Sequence, residues 1–190
     1  MNSRQAQLVK RMTDLELIKS IMLSQLALLI IGFVAGLLLF SSLGEWFQLF
    51  SWSIVDVVML AFIPAVLIVL TDIMMMRMLP KRMMDDGGIN ERIFKNRSFL
   101  QIITICVLVA FSEELLFRGV LQTHLGYIAA SIIFALIHFR YLMKPVLFVS
   151  ILILSFYLGY IYELTDNLVV PMMAHFFIDF FLALYIRYNK

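Results

Sequence analysis

The sequence predicts an all-α fold, a polytopic membrane bundle of about six transmembrane helices with both termini in the cytoplasm. Of its 190 residues 63% are hydrophobic and only 15% are charged, whereas soluble domains are about 45 to 50% apolar and 25% charged. A soluble monomer of this length would have to expose much of its Leu, Ile, Phe and Met. The apolar residues also group into segments of about 20, the length that crosses a bilayer. These observations predict a multi-pass protein of the cell membrane.

Six segments are long and apolar enough to cross. The apolar stretch 99–139 is too long for a single helix, and its polar, glycine-containing break at 122–126 divides it into a third and a fourth span. The first span is longer than a signal-peptide core and lacks a small-residue cleavage site, so we expect a retained anchor. The predicted spans are residues 17–40, 54–76, 99–123, 126–143, 145–162 and 167–186. Residues 1–97 would form a two-span anchor with a basic loop, and residues 98–190 a four-span catalytic core.

Charge predicts the orientation, because Lys and Arg accumulate in cytoplasmic loops. Fourteen of the 15 basic residues fall on one side of the six-span arrangement, and the exception, Arg118, lies inside a span. The basic connection 77–97 should therefore be cytoplasmic and close to anionic lipid. The fourteen are Arg4, Lys10, Arg11, Lys19, Arg77, Lys81, Arg82, Arg92, Lys95, Arg97, Arg140, Lys144, Arg187 and Lys190.

Composition also excludes several classes of protein. A single cysteine, Cys106, excludes internal disulfides and cysteine-rich zinc modules. The net charge of +2 is small and is sorted by membrane side, so no nucleic-acid partner is expected. The expected partners are membrane lipid and a membrane-associated peptide or protein, and the sequence does not indicate an oligomeric state.

Ionisable residues inside spans are the most informative, because each costs about 2.5 to 3.5 kcal/mol at mid-membrane on insertion scales. Asp56 and Asp72 lie near the ends of the second span and are interpreted as end-of-helix polarity. Six others fall within the third, fourth and sixth spans and require another explanation. They are Glu113, Glu114, Arg118, His138, His175 and Asp179.

The two adjacent glutamates are predicted to have different roles. Glu114 and Arg118 are four residues apart, on one helical face, and are expected to form an ion pair. Glu113 lies about 100 degrees round the helix from Glu114. Its carboxylate is therefore unpaired within the helix and available to a cavity.

Helix geometry predicts that three of these residues share one depth. In a hairpin that turns between Leu125 and Gly126, Glu113 and His138 lie twelve residues on either side, each about 18 Å from the turn. His175 lies about 14 Å from the outer end of the sixth span. Three potential proton carriers or metal ligands thus occupy one membrane layer.

Two hydrolytic chemistries fit this set. Glu113, His138 and His175 could hold zinc with an open position for water, while Asp179 fixes His175 or adds a ligand. Alternatively, Glu113 acts with His138 as a general base toward water, and His175 stabilises an oxyanion. The His-Glu-x-x-His zinc-protease motif is absent, so any ligands would come from three helices.

Three motifs in order, Glu113-Glu114-x-x-x-Arg118 with Gly119, Phe134-x-x-x-His138 and His175-x-x-x-Asp179, resemble the signatures of the CAAX protease and bacteriocin-processing family of intramembrane peptidases. The resemblance covers residues 100–181 and is closest to compact prokaryotic members. It implies an intramembrane endopeptidase with Glu113, His138, His175 and Asp179 as the catalytic set and Glu114 and Arg118 in support. It leaves open zinc or glutamate-activated water, and a CAAX-type or a bacteriocin- or immunity-related substrate.

Two functions of other classes also fit the residues. The first is a non-proteolytic bacteriocin-immunity or scaffold protein whose polar side chains hold the bundle together. The second is a transporter with an Asp/Glu/His relay.

Overall fold

A computed structural model describes residues 11–189, and within that range the regular structure is entirely helical. We number the helices in chain order, joining helical segments that continue without a break. They are α1 (Asp14–Leu39), α2 (Leu43–Gln48), α3 (Ile54–Met78), α4 (Lys81–Met84), α5 (Ile89–Phe94), α6 (Phe99–Leu125), α7 (Tyr127–Ile137), α8 (Pro145–Thr165) and α9 (Val169–Tyr188). A short 3-10 helix, Phe139–Tyr141, follows α7.

Five of these helices are long and apolar enough to span a membrane: α1, α3, α6, α8 and α9. Their ends lie within three residues of the predicted spans. The prediction of an all-α, multi-pass membrane protein is confirmed. The side on which the termini lie, and the division at residue 97, stay predictions.

The fourth predicted span is wrong in its extent. Residues 126–143 contain an 11-residue helix, α7, which is about 16 Å long and reaches through about half of a 30 Å hydrocarbon core. The helix ends because His138 adopts a non-helical backbone conformation, with ψ of 45°. Its ring Nδ1 lies 2.8 Å from the Phe134 carbonyl, which the backbone N–H of residue 138 would bond in a continuing helix. His138 therefore caps α7 instead of lying within a span.

Local sequence signals explain where the long helices begin. Thr13 with Glu16 and Ser98 with Gln101 form reciprocal capping boxes at the starts of α1 and α6. Pro145 begins α8, where its missing N–H is not needed. The turn between α6 and α7 is at Gly126, which has φ of 86°, as the hairpin prediction required.

Small residues allow the helices around the polar residues to approach closely. α1 runs parallel to α6, with Leu17 in a cluster with Ile105 at the inner end. α7 packs against α8, where a Cβ on Gly159 would come within 2.7 Å of Tyr127. α9 packs against both α3 and α6, so the sixth predicted span contacts the second and the third.

Two of the long helices contain a π-helical turn. One lies at Val57–Phe62 in α3 and the other at Phe117–Gln122 in α6. π-turns are rare and occur mostly near functional sites. The turn in α6 follows the two glutamates directly and contains Arg118.

Basic residues from several connections meet at one end of the bundle. Arg140 contacts Asn90 of α5, and the Lys144 ammonium donates to the Arg82 carbonyl at 3.3 Å. Arg187, at the end of α9, donates to the Arg97 carbonyl. The positive residues that predicted a cytoplasmic side thus lie together.

Candidate active site

The six singled-out side chains come from three parts of the chain that meet in the inner half of the bundle. Glu113 and Glu114 lie on α6, His138 lies just after α7, and His175 and Asp179 lie one turn apart on α9. All four candidate catalytic side chains line one cavity. The structure therefore brings together residues that are up to 66 positions apart in the sequence.

The carboxylate of Glu113 has two differently placed oxygens. Oε1 accepts a hydrogen bond of 2.9 Å from the side-chain amide of Gln25 on α1. Oε2 is buried, has no hydrogen-bond partner among the described residues, and lies 3.9 Å from Nε2 of His138. Only one oxygen of Glu113 is thus committed to a structural contact.

His138 presents its second ring nitrogen to this free oxygen. Because Nδ1 is 2.8 Å from the Phe134 carbonyl, an acceptor, Nδ1 carries the proton in the neutral ring. The lone pair is then on Nε2, which faces Glu113. The Phe134 ring, 4.8 Å away between centroids, and the parallel ring of Tyr141 hold the imidazole in place.

Glu114 connects two other members of the set. Its Oε2 pairs with Arg118 Nε at 3.2 Å, the predicted i,i+4 ion pair. Its Oε1 lies 2.8 Å from Nδ1 of His175, a contact that we did not predict. Asp179, which was expected to fix the His175 ring, lies 3.6 Å from Nε2, beyond hydrogen-bond distance. The hydrogen bond that orients His175 therefore comes from Glu114.

Arg118 is fully buried and connects α6 to α8. Its Nη2 donates to the Ser155 carbonyl at 2.9 Å and to the Ser155 hydroxyl oxygen at 3.2 Å. The guanidinium also lies 4.5 Å over the Phe134 ring. These contacts fix the Glu114–Arg118 pair, and through it His175, relative to α7 and α8.

A cavity of about 1130 Å³ adjoins these side chains. α3 and α8 both line it, and above it they are joined by a hydrogen bond of 2.5 Å from the Tyr157 hydroxyl to the Leu60 carbonyl. Three lining side chains, Leu67, Val149 and Ile153, are at least half exposed on the outer surface of the bundle. The cavity is therefore accessible from the lipid-facing side.

The donor types suit zinc, but their spacing does not. Glu113 Oε2 and His138 Nε2 could approach one ion, and both histidines have Nδ1 hydrogen-bonded, as metal-bound imidazoles usually do. Within residues 11–189, however, no three His, Cys, Asp or Glu side chains lie close enough together to hold a metal. Zinc stays a prediction, and the chemistry below takes no step through it.

The sequence analysis missed Gln25 and Ser112. Gln25 is 8% exposed in the middle of α1, and the Ser112 hydroxyl lies 2.5 Å from its amide oxygen. We had selected only ionisable residues, and both of these are neutral. A signal was present, because a glutamine inside an apolar span also needs a hydrogen-bond partner.

Comparisons with known proteins point in the same direction as the motifs. Residues 95–181 match the family model of Type II CAAX prenyl endopeptidase Rce1-like proteins. The chain is 44% identical over 167 residues to "Uncharacterized protein YpbD" of Bacillus subtilis (strain 168), covering 88% of each chain. No solved structure matches the chain significantly.

Proposed function

Since the chain belongs to the type II CAAX prenyl endopeptidase Rce1-like family, we propose that it is an intramembrane endopeptidase whose water is activated between Glu113 and His138. The substrate is a membrane-associated peptide or protein, of the CAAX type or related to bacteriocins and immunity. Family membership supports the reaction class, and the geometry of the side chains supports the assignment of roles.

One observation carries the proposal: two hydrogen-bond acceptors face each other across 3.9 Å, Oε2 of Glu113 and Nε2 of His138. An ionised carboxylate and an unprotonated ring nitrogen cannot bond each other. A water molecule about 2.8 Å from each atom can donate one hydrogen to both. Its oxygen lone pairs then point away from both acceptors and are available for attack on a peptide carbonyl.

The reaction follows from these positions. Glu113 Oε2 takes a proton from the water as the water oxygen bonds to the carbonyl carbon. The carbon–nitrogen bond then breaks, and the proton passes from Glu113 to the departing amine. A His175 that carries both ring protons, held at Nδ1 by Glu114, donates from Nε2 to the oxyanion. Water is consumed, and the products are one carboxylate and one amine.

Glu114, Arg118 and Asp179 support this chemistry. The Glu114–Arg118 pair is buried without exposure and fixes the position of the His175 ring. The Asp179 carboxylate, 3.6 Å from Nε2 of His175, balances the charge of the protonated ring. An ionised Asp accepts hydrogen bonds only, so Asp179 does not donate to the oxyanion.

Access from the lipid side supports a membrane-associated substrate. Most of the cavity lining on α3 and α8 is apolar, and exposed Leu67 and Ile153 lie at its lipid-facing edge. An apolar segment or lipid-modified tail can therefore reach the water site without crossing the polar interface.

The test is turnover of a membrane-peptide library by the purified full-length protein in lipid nanodiscs. Mass spectrometry should identify new termini in the wild type, and Glu113→Gln should reduce the rate about 100- to 10,000-fold, the usual contribution of a general base. Glu163→Gln, on the opposite side of the bundle in α8, is the matched control and should cleave at the wild-type rate. Equal product from wild type and Glu113→Gln would contradict the proposal.

A further inference from the structure

We infer that Gln25, on α1 and outside the family-matched residues 95–181, is a positioning residue that holds the Glu113 carboxylate for proton transfer. This inference rests on the proposed function. Its evidence is a buried chain of hydrogen bonds from Ser112 through Gln25 to Glu113.

The placement of Gln25 follows from the packing of α1. The buried residues of this helix, Leu17, Gln25, Gly32 and Gly36, fall within about 100 degrees of one another at 100 degrees per residue. This face packs along α6, where Gly32 lies against the backbone of Leu116. The parallel packing places Gln25 beside Ser112 and Glu113, one helical layer nearer the inner end.

Ser112 and Glu113 together fix the orientation of the Gln25 amide. An ionised carboxylate accepts only, so the group that faces Glu113 Oε1 at 2.9 Å must be the amide NH₂. The amide oxygen then faces the Ser112 hydroxyl at 2.5 Å. The amide has an acceptor on one side and a donor on the other, and a flip would disrupt both contacts.

This arrangement determines which Glu113 oxygen takes up the proton. Oε1 is occupied as an acceptor of the Gln25 hydrogen bond throughout the cycle. Oε2, which faces His138, is left to receive the proton from water. Gln25 also resists rotation of the carboxylate, and a displacement of about 1 Å in such a group costs about 100-fold in rate.

Gln25 could instead only join α1 to α6, as polar side chains in membranes often do, at about 0.6 kcal/mol each. Removal of such a link would lower stability and leave the rate per folded molecule unchanged. A positioning role predicts a different result: the rate per folded molecule falls, and substrate binding is retained.

The experiment compares Gln25→Met with wild type in nanodiscs, using folded, monodisperse protein and a cleaved library peptide. Methionine has a similar length and cannot donate to Glu113. We expect kcat to fall about 10- to 100-fold with KM within about twofold. Ser24→Ala is the matched control, because the Ser24 hydroxyl is exposed and bonds to the Ile21 carbonyl of its own helix. It should retain wild-type kcat.

A second pair of variants tests the contact itself. Gln25→Glu places two carboxylates together and should lower the melting temperature. Adding Glu113→Gln to it restores a donor and an acceptor, so the double variant should regain stability but stay inactive. No regain would overturn the contact on which the inference depends.

Two outcomes of the kinetic experiment separate the claims. Wild-type kcat in Gln25→Met, with active wild-type protein, would overturn the positioning role and leave the endopeptidase proposal intact. Wild-type protein that cleaves no library peptide would overturn the proposed function, and the positioning role with it.

Discussion

Replacement of Glu114 by glutamine removes the carboxylate that pairs with Arg118, and this should weaken the fold far more than the same change at Glu113. Arg118 and Glu114 are both fully buried, and their ion pair spans 3.2 Å. In Glu114→Gln the guanidinium keeps its bonds to Ser155 but has no neutralising charge in contact. In Glu113→Gln no paired cation is stranded, and the new amide oxygen still accepts from Gln25.

The size of the effect follows from these contacts. Breaking a buried ion pair by removing one partner costs about 3 to 5 kcal/mol. For a chain of 150 to 250 residues, 1 kcal/mol shifts the melting temperature by about 2 to 4 °C. Glu114→Gln should therefore melt about 6 to 20 °C below wild type. The cost of Glu113→Gln should stay below about 1 kcal/mol, because one hydrogen bond changes from a charged to a neutral acceptor.

The assay is tryptophan fluorescence during heating of both variants in the same detergent, with monodispersity checked by gel filtration. Glu113→Gln serves as the matched control, one position away on the same helix. Equal melting temperatures for the two variants would refute the division of roles between the glutamates. A Glu114→Gln protein as stable as wild type would refute the energetic argument.

Three further predictions concern orientation, packing and metal. In a background without the native cysteine, cysteine at exposed Asp85 should be labelled only from the cytoplasm and cysteine at exposed Gly44 only from outside; the reverse pattern would invert the topology. Gly159→Ala should lower stability by about 1 to 3 kcal/mol and also reduce activity, because a Cβ there would come 2.7 Å from Tyr127 and push away the helix that ends at His138; Gly44→Ala, with space for a Cβ, should change neither. Active protein treated with a chelator should keep its rate, measured with metal analysis of the same sample, whereas stoichiometric zinc lost together with activity in His138→Ala would establish the zinc alternative.

The spans could be predicted because hydropathy and helix length together limit where an apolar chain crosses a bilayer. The fourth failed because hydropathy does not register where backbone hydrogen bonding ends. The residues after Ile137 are still apolar, but the His138 ring takes the place of the next backbone donor to Phe134. A 16-residue difference between an apolar stretch and a helix therefore could not be detected by counting, and even the motif residue that ends the helix looked like part of a span.

The proximity of Glu113 and His138 followed from counting residues either side of Gly126, because a hairpin fixes relative depth. The partner of Glu114 did not follow, since depth does not specify how α9 is rotated about its axis. That rotation brings Nδ1 of His175 to Glu114. Gln25 was missed for a different reason: it is neutral, and its partners are about 88 positions away.

The π-turn at Phe117–Gln122 has a consequence for the way sequences of this kind are aligned. In a regular α-helix, residues four apart overshoot one full rotation by about 40 degrees, and a wider turn reduces that overshoot. Arg118 and Gln122, four apart across this turn, accordingly both reach α8, at Ser155 and at Gly159. A homologue that lacks the wider turn would keep the glutamates in place with one residue fewer before its hairpin, so the correct alignment places a single-residue gap between Arg118 and Gly126, after the acidic motif and ahead of the turn.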